Sequence, residues 1–479
     1  MKPCYFNADS RNYLQLSSQR ARYPKDKMPR LQDAKATWIL AWPIMVGQLA
    51  QTGTGFVDAV MAGHLSAGDL AAVSVGTSIW SVMIVTMFGL LIAISPMASQ
   101  KVGAKAFHEI PALTQQALYQ SVLVAAVMML IAHSLLPIFA HIGLTSDVAA
   151  KASDFLAVIS WGFPAVAIAR VLYGYSSSLN QTKPMMMISI LALLLNIPAN
   201  YVLIYGVWGF PALGAVGCAW ATALCMWFSA LLWIIWIWVS PIYRETHPFR
   251  KLQGIQLQTQ KQLAKLAIPI GIMFFVEASA FSLIALIIAK LGTTTVASHQ
   301  IALNFASLTF MIPLAISTAL TVRVGQAIGA GDYTLARFIG QTGIYLGFIL
   351  AVVSGSMIIL FRNTIATWYT ADPAVILLSA QLLLLAGIFQ FSDATQIVVA
   401  GVLRGYKSTR MPLAIHLTAF WVIGIPLGYA LTFGVGPFSA QGPAGYWLAL
   451  VIALTFAAIA LYVFFQRISK RALTQGISN

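Results

Sequence analysis

Twelve long apolar runs dominate this sequence of 479 residues and limit what it can fold into. An α-helix needs about 20 apolar residues to cross a bilayer. Hydrophobic residues make up 59% of the chain and charged residues only 9%, whereas soluble domains are about a quarter charged. The sequence therefore predicts an all-α polytopic membrane protein. The predicted spans lie near residues 36–62, 70–99, 113–138, 149–176, 184–206, 212–240, 263–290, 295–325, 334–361, 373–401, 411–433 and 443–467.

One long polar connection, from Pro241 to Gln262, separates six spans from the other six. We therefore predict two six-helix lobes, one at 36–240 and one at 263–468, joined by a linker at 241–262. A basic tail at 1–35 and a short tail at 469–479 flank them. The first tail has no apolar stretch, so it does not resemble a cleaved signal peptide.

The net charge of +15 reflects membrane topology rather than a nucleic-acid partner. If both termini are cytoplasmic, 24 of the 28 Lys and Arg residues fall on the cytoplasmic side. Only Lys151, Lys290 and Arg362 then fall on the opposite side, and Arg170 lies within a span. Because cytoplasmic loops of membrane proteins carry an excess of Lys and Arg, this orientation is strongly favoured. The linker and both tails are accordingly predicted to be cytoplasmic.

The two halves of the sequence are copies of one another. An offset of 226 residues pairs Pro43 with Pro269 and Gln100 with Gln326, and it also pairs Gly103 with Gly329. An offset of 228 pairs prolines, a tyrosine and glycines of spans 5 and 6 with those of spans 11 and 12. Six spans per half give both halves the same orientation, which indicates a parallel repeat. Two pseudo-symmetric six-helix bundles facing a central cleft are typical of alternating-access transporters.

Three acidic residues lie inside predicted spans: Asp58, Glu277 and Asp393. A charge at the bilayer centre costs at least about 2.5–3.5 kcal/mol, so such residues mark ion or substrate sites. The alternative is a protonated carboxyl group that is hydrogen-bonded to a neighbouring helix. Three intramembrane acids in one chain favour a site for cationic coupling ions or substrates.

The first half concentrates polar groups around Asp58. Gln51 precedes Asp58 by about two helical turns and shares its face. Asn196 and Asn200, four residues apart in span 5, also share one face. Their counterparts in the second half are Gly424 and Gly428, and Gln51 aligns with Glu277, so the two polar sites differ. The alternative for the asparagines is hydrogen bonding that holds helices together.

In the second half, Glu277 and Asp393 can meet only if spans 7 and 10 are neighbours. Such a pair would bind a proton or a bare cation, and its carboxylates make it a candidate Na⁺ site. Carboxylates alone do not distinguish Na⁺ from H⁺. For Phe281, one turn after Glu277, packing competes with a ring contact to a cation. We expect a structural role for Arg170 and packing roles for His299 and His416.

Two stretches resemble the multidrug and toxic compound extrusion (MATE) family, in its bacterial NorM-type branch. The first is GQLAQTGTGFVDAVMAG at residues 47–63, and the second is SDATQIVVAGVLRGY at residues 392–406. The resemblance extends from about residue 33 to residue 468. It implies a V-shaped pair of bundles in the bacterial inner membrane, acting as a monomer. The implied activity is export of cationic, amphipathic compounds in exchange for Na⁺ or H⁺, with no other cofactor.

The resemblance also implies roles for individual residues. Asp58, Asn196 and Asn200 match the polar site of the family's N-terminal lobe. Glu277, Asp393 and Phe281 match the cation and drug site of its C-terminal lobe. One position departs from the pattern, since Phe389 stands where some members have a tyrosine one turn before the span-10 aspartate. The family favours Na⁺, whereas the missing tyrosine oxygen counts against it.

Three other classes compete with this interpretation. A major-facilitator transporter also has twelve spans, but the loop after span 2 reads SQKVGAK and lacks the expected acid. A flippase for lipids or polysaccharide precursors would need basic residues in the cleft, where this chain has acids. An intramembrane enzyme would need convergent catalytic groups, which the spans do not provide. We therefore predict a transporter rather than an enzyme.

Overall fold

Long helices make up the computed structural model, which describes residues 30–141, 143 and 145–477 and shows no strand among them. Apolar composition explains this, because a backbone in lipid must satisfy its hydrogen bonds within the segment. The helices are α1 (Arg30–Leu65), α2 (Ala67–Leu91 and Ile94–Gly103), α3 (Ile110–Leu135), α4 (Ser146–Ser160 and Phe163–Ser178), α5 (Lys183–Tyr205), α6 (Gly214–Val239), α7 (Leu257–Ile288), α8 (Thr293–Gly329), α9 (Tyr333–Tyr369), α10 (Pro373–Gly405), α11 (Arg410–Leu417, Thr418–Gly424 and Ile425–Phe433) and α12 (Pro443–Ile477). Short 3₁₀ turns lie at Phe107–Glu109, Leu136–Ala140, Pro241–Tyr243 and Ala289–Leu291.

Ten of the described helices are long and apolar enough to cross a membrane, and the two segments of α4, bent by 43°, supply an eleventh span. The remaining helix, α1, is less apolar because its second half carries Gln51, Thr52, Thr54 and Asp58. The predicted all-α fold with two six-helix lobes, α1–α6 and α7–α12, is confirmed.

Several helices extend past the predicted boundaries of the tails and the linker. Helix α1 begins at Arg30, within the predicted tail, and α7 begins at Leu257, within the predicted linker. Helix α12 continues to Ile477, through most of the predicted C-terminal tail. Polar residues can extend a helix beyond the hydrocarbon layer, so a loss of hydropathy does not mark the helix end. Residues 1–29 of the predicted first tail lie outside the described residues.

The internal repeat is visible in the helix ends. Helices α5 and α11 end before Gly206 and Gly434, which have φ angles of 70° and 72°. This left-handed conformation favours glycine, and it stops both helices at equivalent places. Helix α11 departs from its counterpart by a π-helical stretch at Thr418–Gly424, which breaks the regular hydrogen bonding.

The linker is bound to the N-terminal lobe rather than spanning freely between the lobes. Gln116 of α3 donates to the carbonyl of Gly254 over 2.8 Å and accepts from the backbone of Gln256 over 2.9 Å. Tyr119 donates to the carbonyl of Gln253 over 2.8 Å, and Gln115 bonds the same segment. The chain therefore enters α7 from a fixed position on α3.

The two lobes meet at the face that the charge pattern predicts to be cytoplasmic. A Cβ atom on Gly103 would lie 2.0 Å from the carbonyl oxygen of Gln326, and one on Gly329 would lie 1.9 Å from that of Gln100. Arg323 of α8 adds an ion pair of 2.6 Å with the buried Asp33 of α1. This backbone contact between equivalent segments of α2 and α8 closes that face.

Candidate functional site

The carboxylate of Asp58 lies in a buried cluster of hydrogen-bond donors in the N-terminal lobe. Its Oδ1 accepts from Asn200 Nδ2 over 2.6 Å and from Asn196 Nδ2 over 3.2 Å. Its Oδ2 accepts from the hydroxyl of Thr222 over 2.6 Å. The two asparagines are fully buried, and Asp58 is 6% exposed. The structure thus brings together three predicted residues and one that the sequence analysis missed.

Three helices position this cluster. Helix α5 packs against both α1 and α6, and Asn196 and Asn200 project from one face of it toward both neighbours. Asn200 also donates to Asn196 Oδ1 over 3.0 Å, which fixes the two amides relative to each other. The Oδ1 of Asn200 has no partner among the described residues, so one buried acceptor remains available to a cationic or hydrogen-bonding ligand.

A cavity of about 440 Å³ opens beside Asp58 within the N-terminal lobe. This volume lies in the range of small-molecule sites, roughly 300–1,000 Å³. Gln51 contributes to the cavity wall but bonds Ser189 of α5 over 3.2 Å instead of joining the Asp58 cluster. The cavity surface is mostly apolar and aromatic, with side chains that include Trp80, Ile84, Phe88, Tyr173, Met226 and Trp233.

Arg170 lines the same cavity at a distance from the Asp58 cluster. Its guanidinium lies 4.4 Å from the ring centre of Phe88 and 5.3 Å from that of Tyr173. No described carboxylate forms an ion pair with it. Stacking on two rings stabilises a cation in a poorly hydrated site, so these contacts fit the expected structural role of Arg170.

The second acidic group lies in the C-terminal lobe. Glu277 of α7 interacts electrostatically with Asp393 of α10 and with Arg404 at the end of α10. Arg404 is 2% exposed and donates through Nη2 to Ser317 over 2.7 Å, while its Nε and Nη1 have no partner among the described residues. When both carboxylates are ionised, the three side chains carry a net charge of −1, so the group could then accept one further positive charge.

Phe281 belongs to an aromatic cluster beside these acids. Its ring meets those of Phe389 and Phe420 edge to face, with centroids 6.3 Å and 6.0 Å apart. Phe389 also meets Trp447 edge to face at 5.7 Å. The position that could supply an oxygen ligand for Na⁺ is therefore occupied by hydrocarbon. Within the described part of the chain, no group of three or more His, Cys, Asp or Glu side chains is placed to hold a metal ion.

A series of hydrogen bonds that the sequence does not predict leads away from Asp393. Gln396 Nε2 lies 3.1 Å from Asp393 Oδ1, and Gln396 Oε1 lies 2.7 Å from Nε2 of His416 on α11. Gln396 follows Asp393 by three residues, a spacing that could have indicated a shared face. The sequence indicates packing for His416 because no ligand partner stands at helical spacing from it, and its partner Gln396 lies on another helix. His299 has a different environment and accepts from the indole of Trp447 over 3.2 Å.

Comparison with known proteins places this geometry among transporters. The sequence profile of the MatE family matches residues 43–202 and again residues 269–430. The two matches are offset by 226 residues at their beginnings and 228 at their ends, the same offsets that relate the two halves of the sequence. The internal repeat is therefore a repeat of the family unit.

Several curated relatives are similar over nearly the whole chain. The protein named Probable multidrug resistance protein NorM, of Chromobacterium violaceum, is 41% identical over 93% of this chain and 97% of its own. Multidrug resistance protein PmpM of Pseudomonas aeruginosa is 42% identical over 92% of this chain and 93% of its own. Multidrug resistance protein MdtK of Photorhabdus laumondii is 39% identical over 90% of this chain and 95% of its own.

Solved structures share the fold at lower identity. The eukaryotic MATE transporter AtDTX14 superposes with a TM-score of 0.85 at 20% identity, covering 93% of this chain and 99% of that one. An outward-facing MATE family transporter superposes with a TM-score of 0.84 at 18% identity, covering 94% of this chain and 100% of that one. Both likenesses support the two-lobed arrangement of twelve helices.

Proposed function

Because the chain belongs to the MatE family, a multi-pass family of membrane transporters, we propose that it exports cationic, amphipathic small molecules in exchange for H⁺ or Na⁺. Membership excludes the major-facilitator alternative. The proposal includes a location in the bacterial inner membrane, with both termini cytoplasmic and the single chain acting as a monomer. It rests on one observation above all, which is a buried carboxylate, Asp58, beside a cavity with largely aromatic and aliphatic walls.

This cavity suits a lipophilic cation for two physical reasons. Its rings and aliphatic side chains remove apolar ligand surface from water, which stabilises binding by about 25 cal/mol per Å². Trp80 also offers a ring face that attracts positive charge, whereas the ring of Phe88 already contacts the Arg170 guanidinium. The carboxylate of Asp58 provides the opposite charge, so a ligand that combines both properties binds better than one with either alone.

The C-terminal acids supply the exchange. Arg404 balances one of the carboxylates Glu277 and Asp393, so binding of one cation makes the group neutral. In this proposal the substrate cation contacts these acids as well as Asp58 in the course of transport, and it cannot be stabilised there together with a coupling cation. Each therefore weakens the binding of the other, and this mutual weakening is what an antiporter requires.

The contact between the lobes supports a direction of access to the site. Contacts between the lobes at Gly103 and Gly329 close the face predicted to be cytoplasmic. With that orientation, the closed cytoplasmic contact supports access to the site from the outside in this state. Alternating access then requires the two lobes to separate at this closed contact and to approach each other on the opposite side.

Dye retention in cells tests the proposed function. Cells that express the protein should retain several-fold less ethidium, a lipophilic cation, than cells that express Asp58→Asn at equal membrane abundance. Collapse of the ion gradients with an ionophore should abolish the difference, because export is driven by exchange. Equal retention by both strains across several chemically distinct cations would contradict the proposed export.

A further inference from the structure

A buried chain of hydrogen bonds links Asp393 to the first turns of α11. Asp393 Oδ1 lies 3.1 Å from the amide of Gln396, which lies 2.7 Å from Nε2 of His416. Nδ1 of His416 lies 2.8 Å from the carbonyl oxygen of Pro412. Gln396 and His416 are fully buried and Asp393 is 4% exposed, so the chain has little access to water that could replace a missing partner.

The end of this chain fixes one proton. The carbonyl oxygen of Pro412 can only accept a hydrogen bond, so Nδ1 of His416 must carry hydrogen. The other ring nitrogen, Nε2, then has two states. It presents a lone pair if the imidazole is neutral and a second N–H if the imidazole is cationic.

Two arrangements of the protons satisfy every group in this chain of hydrogen bonds. In the first, cationic His416 donates to the Gln396 oxygen, and the Gln396 nitrogen donates to an ionised Asp393. In the second, the amide of Gln396 is turned over, which exchanges its oxygen and nitrogen at the same positions. Its nitrogen then donates to neutral His416, and its oxygen accepts from a protonated Asp393. The two arrangements contain the same number of protons and differ only in where one of them resides.

Removal of that proton leaves the chain unsatisfied. With an ionised Asp393 and a neutral His416, both ends present lone pairs to Gln396. The amide can donate to only one of them, and its oxygen then faces the lone pair of the other. An unpaired buried acceptor is costly because no water compensates it. The geometry therefore favours the presence of one proton in the chain over its absence.

We propose that Asp393 and His416 share one proton through Gln396, and that this is the coupling proton of the transporter. The inference rests on the proposed function and specifies H⁺ as the coupling ion. A substrate cation that pairs with Asp393 displaces the proton from the chain, and the proton leaves to water when the cleft is open. His416 acts as a positioning residue that holds the proton next to the exchange site.

The surrounding charges agree with an exchange of one proton for one monovalent cation. Glu277 faces Asp393 from α7, and Arg404 at the end of α10 interacts with both Glu277 and His416. Arg170 of α4 interacts electrostatically with Arg404. On α8, His299 is bonded to Trp447 of α12 and does not join the chain. With Arg404 balancing Glu277, the shared proton makes the group neutral, and a monovalent substrate preserves that neutrality.

The test measures the binding of tetraphenylphosphonium to purified protein in Na⁺-free detergent solution as a function of pH. The wild-type protein should release about one proton per bound cation, and the binding should weaken about tenfold per pH unit below a midpoint. His416→Gln should lower that midpoint by about one pH unit or more, because a second amide can donate to Gln396 without carrying the extra proton. His299→Gln is the matched control and should leave the midpoint unchanged.

A second variant keeps the test decisive if His416→Gln fails to fold. His416→Met removes the imidazole and its lone pair, so the amide of Gln396 can donate to an ionised Asp393 without facing a second acceptor, and this change should lower the midpoint as well. Gln396→Met removes the donor to ionised Asp393 and should instead raise the midpoint, and His416→Gln added to it should cause no further shift, since the link to Asp393 is already broken. Each variant is first checked for a monodisperse elution profile and an unchanged thermal midpoint.

The outcomes separate the inference from the proposed function. If the wild-type protein does not bind tetraphenylphosphonium at all, the proposed export of lipophilic cations fails, and the inference fails with it. Binding with no dependence on pH overturns the coupling proton. Binding that depends on pH, with a midpoint that neither His416→Gln nor His416→Met lowers relative to His299→Gln, overturns the shared proton but leaves the proposed function intact.

Discussion

Gln100 and Gln326 occupy equivalent positions in the two lobes, and each donates its side-chain amide to the last residue of a helix in the opposite lobe. Gln100 Nε2 lies 2.9 Å from the carbonyl oxygen of Gly405, where α10 ends, and Gln326 Nε2 lies 2.8 Å from that of Ser178, where α4 ends. The final carbonyls of a helix lack partners within it. The two lobes therefore cap each other, and separating them exposes both helix ends to water.

The closed contact beside these glutamines should be sensitive to a single methyl group. Gly103→Ala and Gly329→Ala each place a Cβ atom within about 2 Å of a backbone oxygen in the opposite lobe. Both should disfavour the closed contact and shift the population toward separated lobes. Spin-label distances between α3 and α9, measured at the predicted cytoplasmic ends of the lobes, should lengthen.

The control for this experiment is Gly254→Ala in the linker. A Cβ atom at Gly254 meets no atom within 4 Å. The distribution of spin-label distances in the Gly254→Ala variant should therefore match that of the wild-type protein. Distributions for Gly103→Ala and Gly329→Ala that coincide with this control would show that the glycine contact does not determine which face is closed.

Replacement of the three intramembrane acids by amides should separate transport from folding. Asp58→Asn, Glu277→Gln and Asp393→Asn preserve shape and much of the hydrogen bonding but remove the charge. Because a neutral group costs less to bury in a membrane, thermal stability should hold or rise. Efflux should fall about tenfold or more, which corresponds to a free-energy difference of about 1.4 kcal/mol.

Asp154→Asn provides the matched control, since Asp154 is an exposed acid on α4. It should retain wild-type efflux. If all three intramembrane variants also export ethidium at the wild-type rate, at equal membrane abundance, the acids have no part in the mechanism. They would then be permanently protonated groups that hold helices together.

Moving the carboxylate along α1 should not restore function. The donors of Asn196, Asn200 and Thr222 converge on Asp58, whereas Gln51 bonds Ser189 at another place on α5. Gln51→Glu should therefore fail to rescue efflux in an Asp58→Asn background. Recovery of efflux in the double variant would indicate that only the presence of an acid in the cavity matters, and not its position.

The hydroxyl of Thr222 should matter more than its methyl group. Thr222→Val removes the donor that lies 2.6 Å from Asp58 Oδ2, and an unpaired buried acceptor costs about 1–3 kcal/mol. Thermal unfolding should move to lower temperature and efflux should weaken. Thr222→Ser keeps the donor and should restore both. Equal behaviour of the valine and serine variants would show that Thr222 contributes only packing.

The sequence predicts those parts of the molecule that follow from local chemistry. Apolar length predicts the twelve helices, and the rarity of charge in lipid identifies Asp58, Glu277 and Asp393. The spacing of Asn196 and Asn200 predicts their shared face. Partners on other helices depend on packing angles and are not encoded locally. For that reason Thr222 and His416 escape detection, and Gln51 lies on the cavity wall but outside the cluster to which its spacing assigned it.

The most direct test of the account uses purified protein in liposomes with the membrane potential clamped by K⁺ and valinomycin. An imposed proton gradient, acidic inside and free of Na⁺, should drive tetraphenylphosphonium into the liposomes, and Asp393→Asn should abolish this uptake. A Na⁺ gradient at uniform pH should drive none. Uptake driven by Na⁺ alone would contradict the coupling proton, and the absence of uptake under either gradient would contradict cation-coupled export itself.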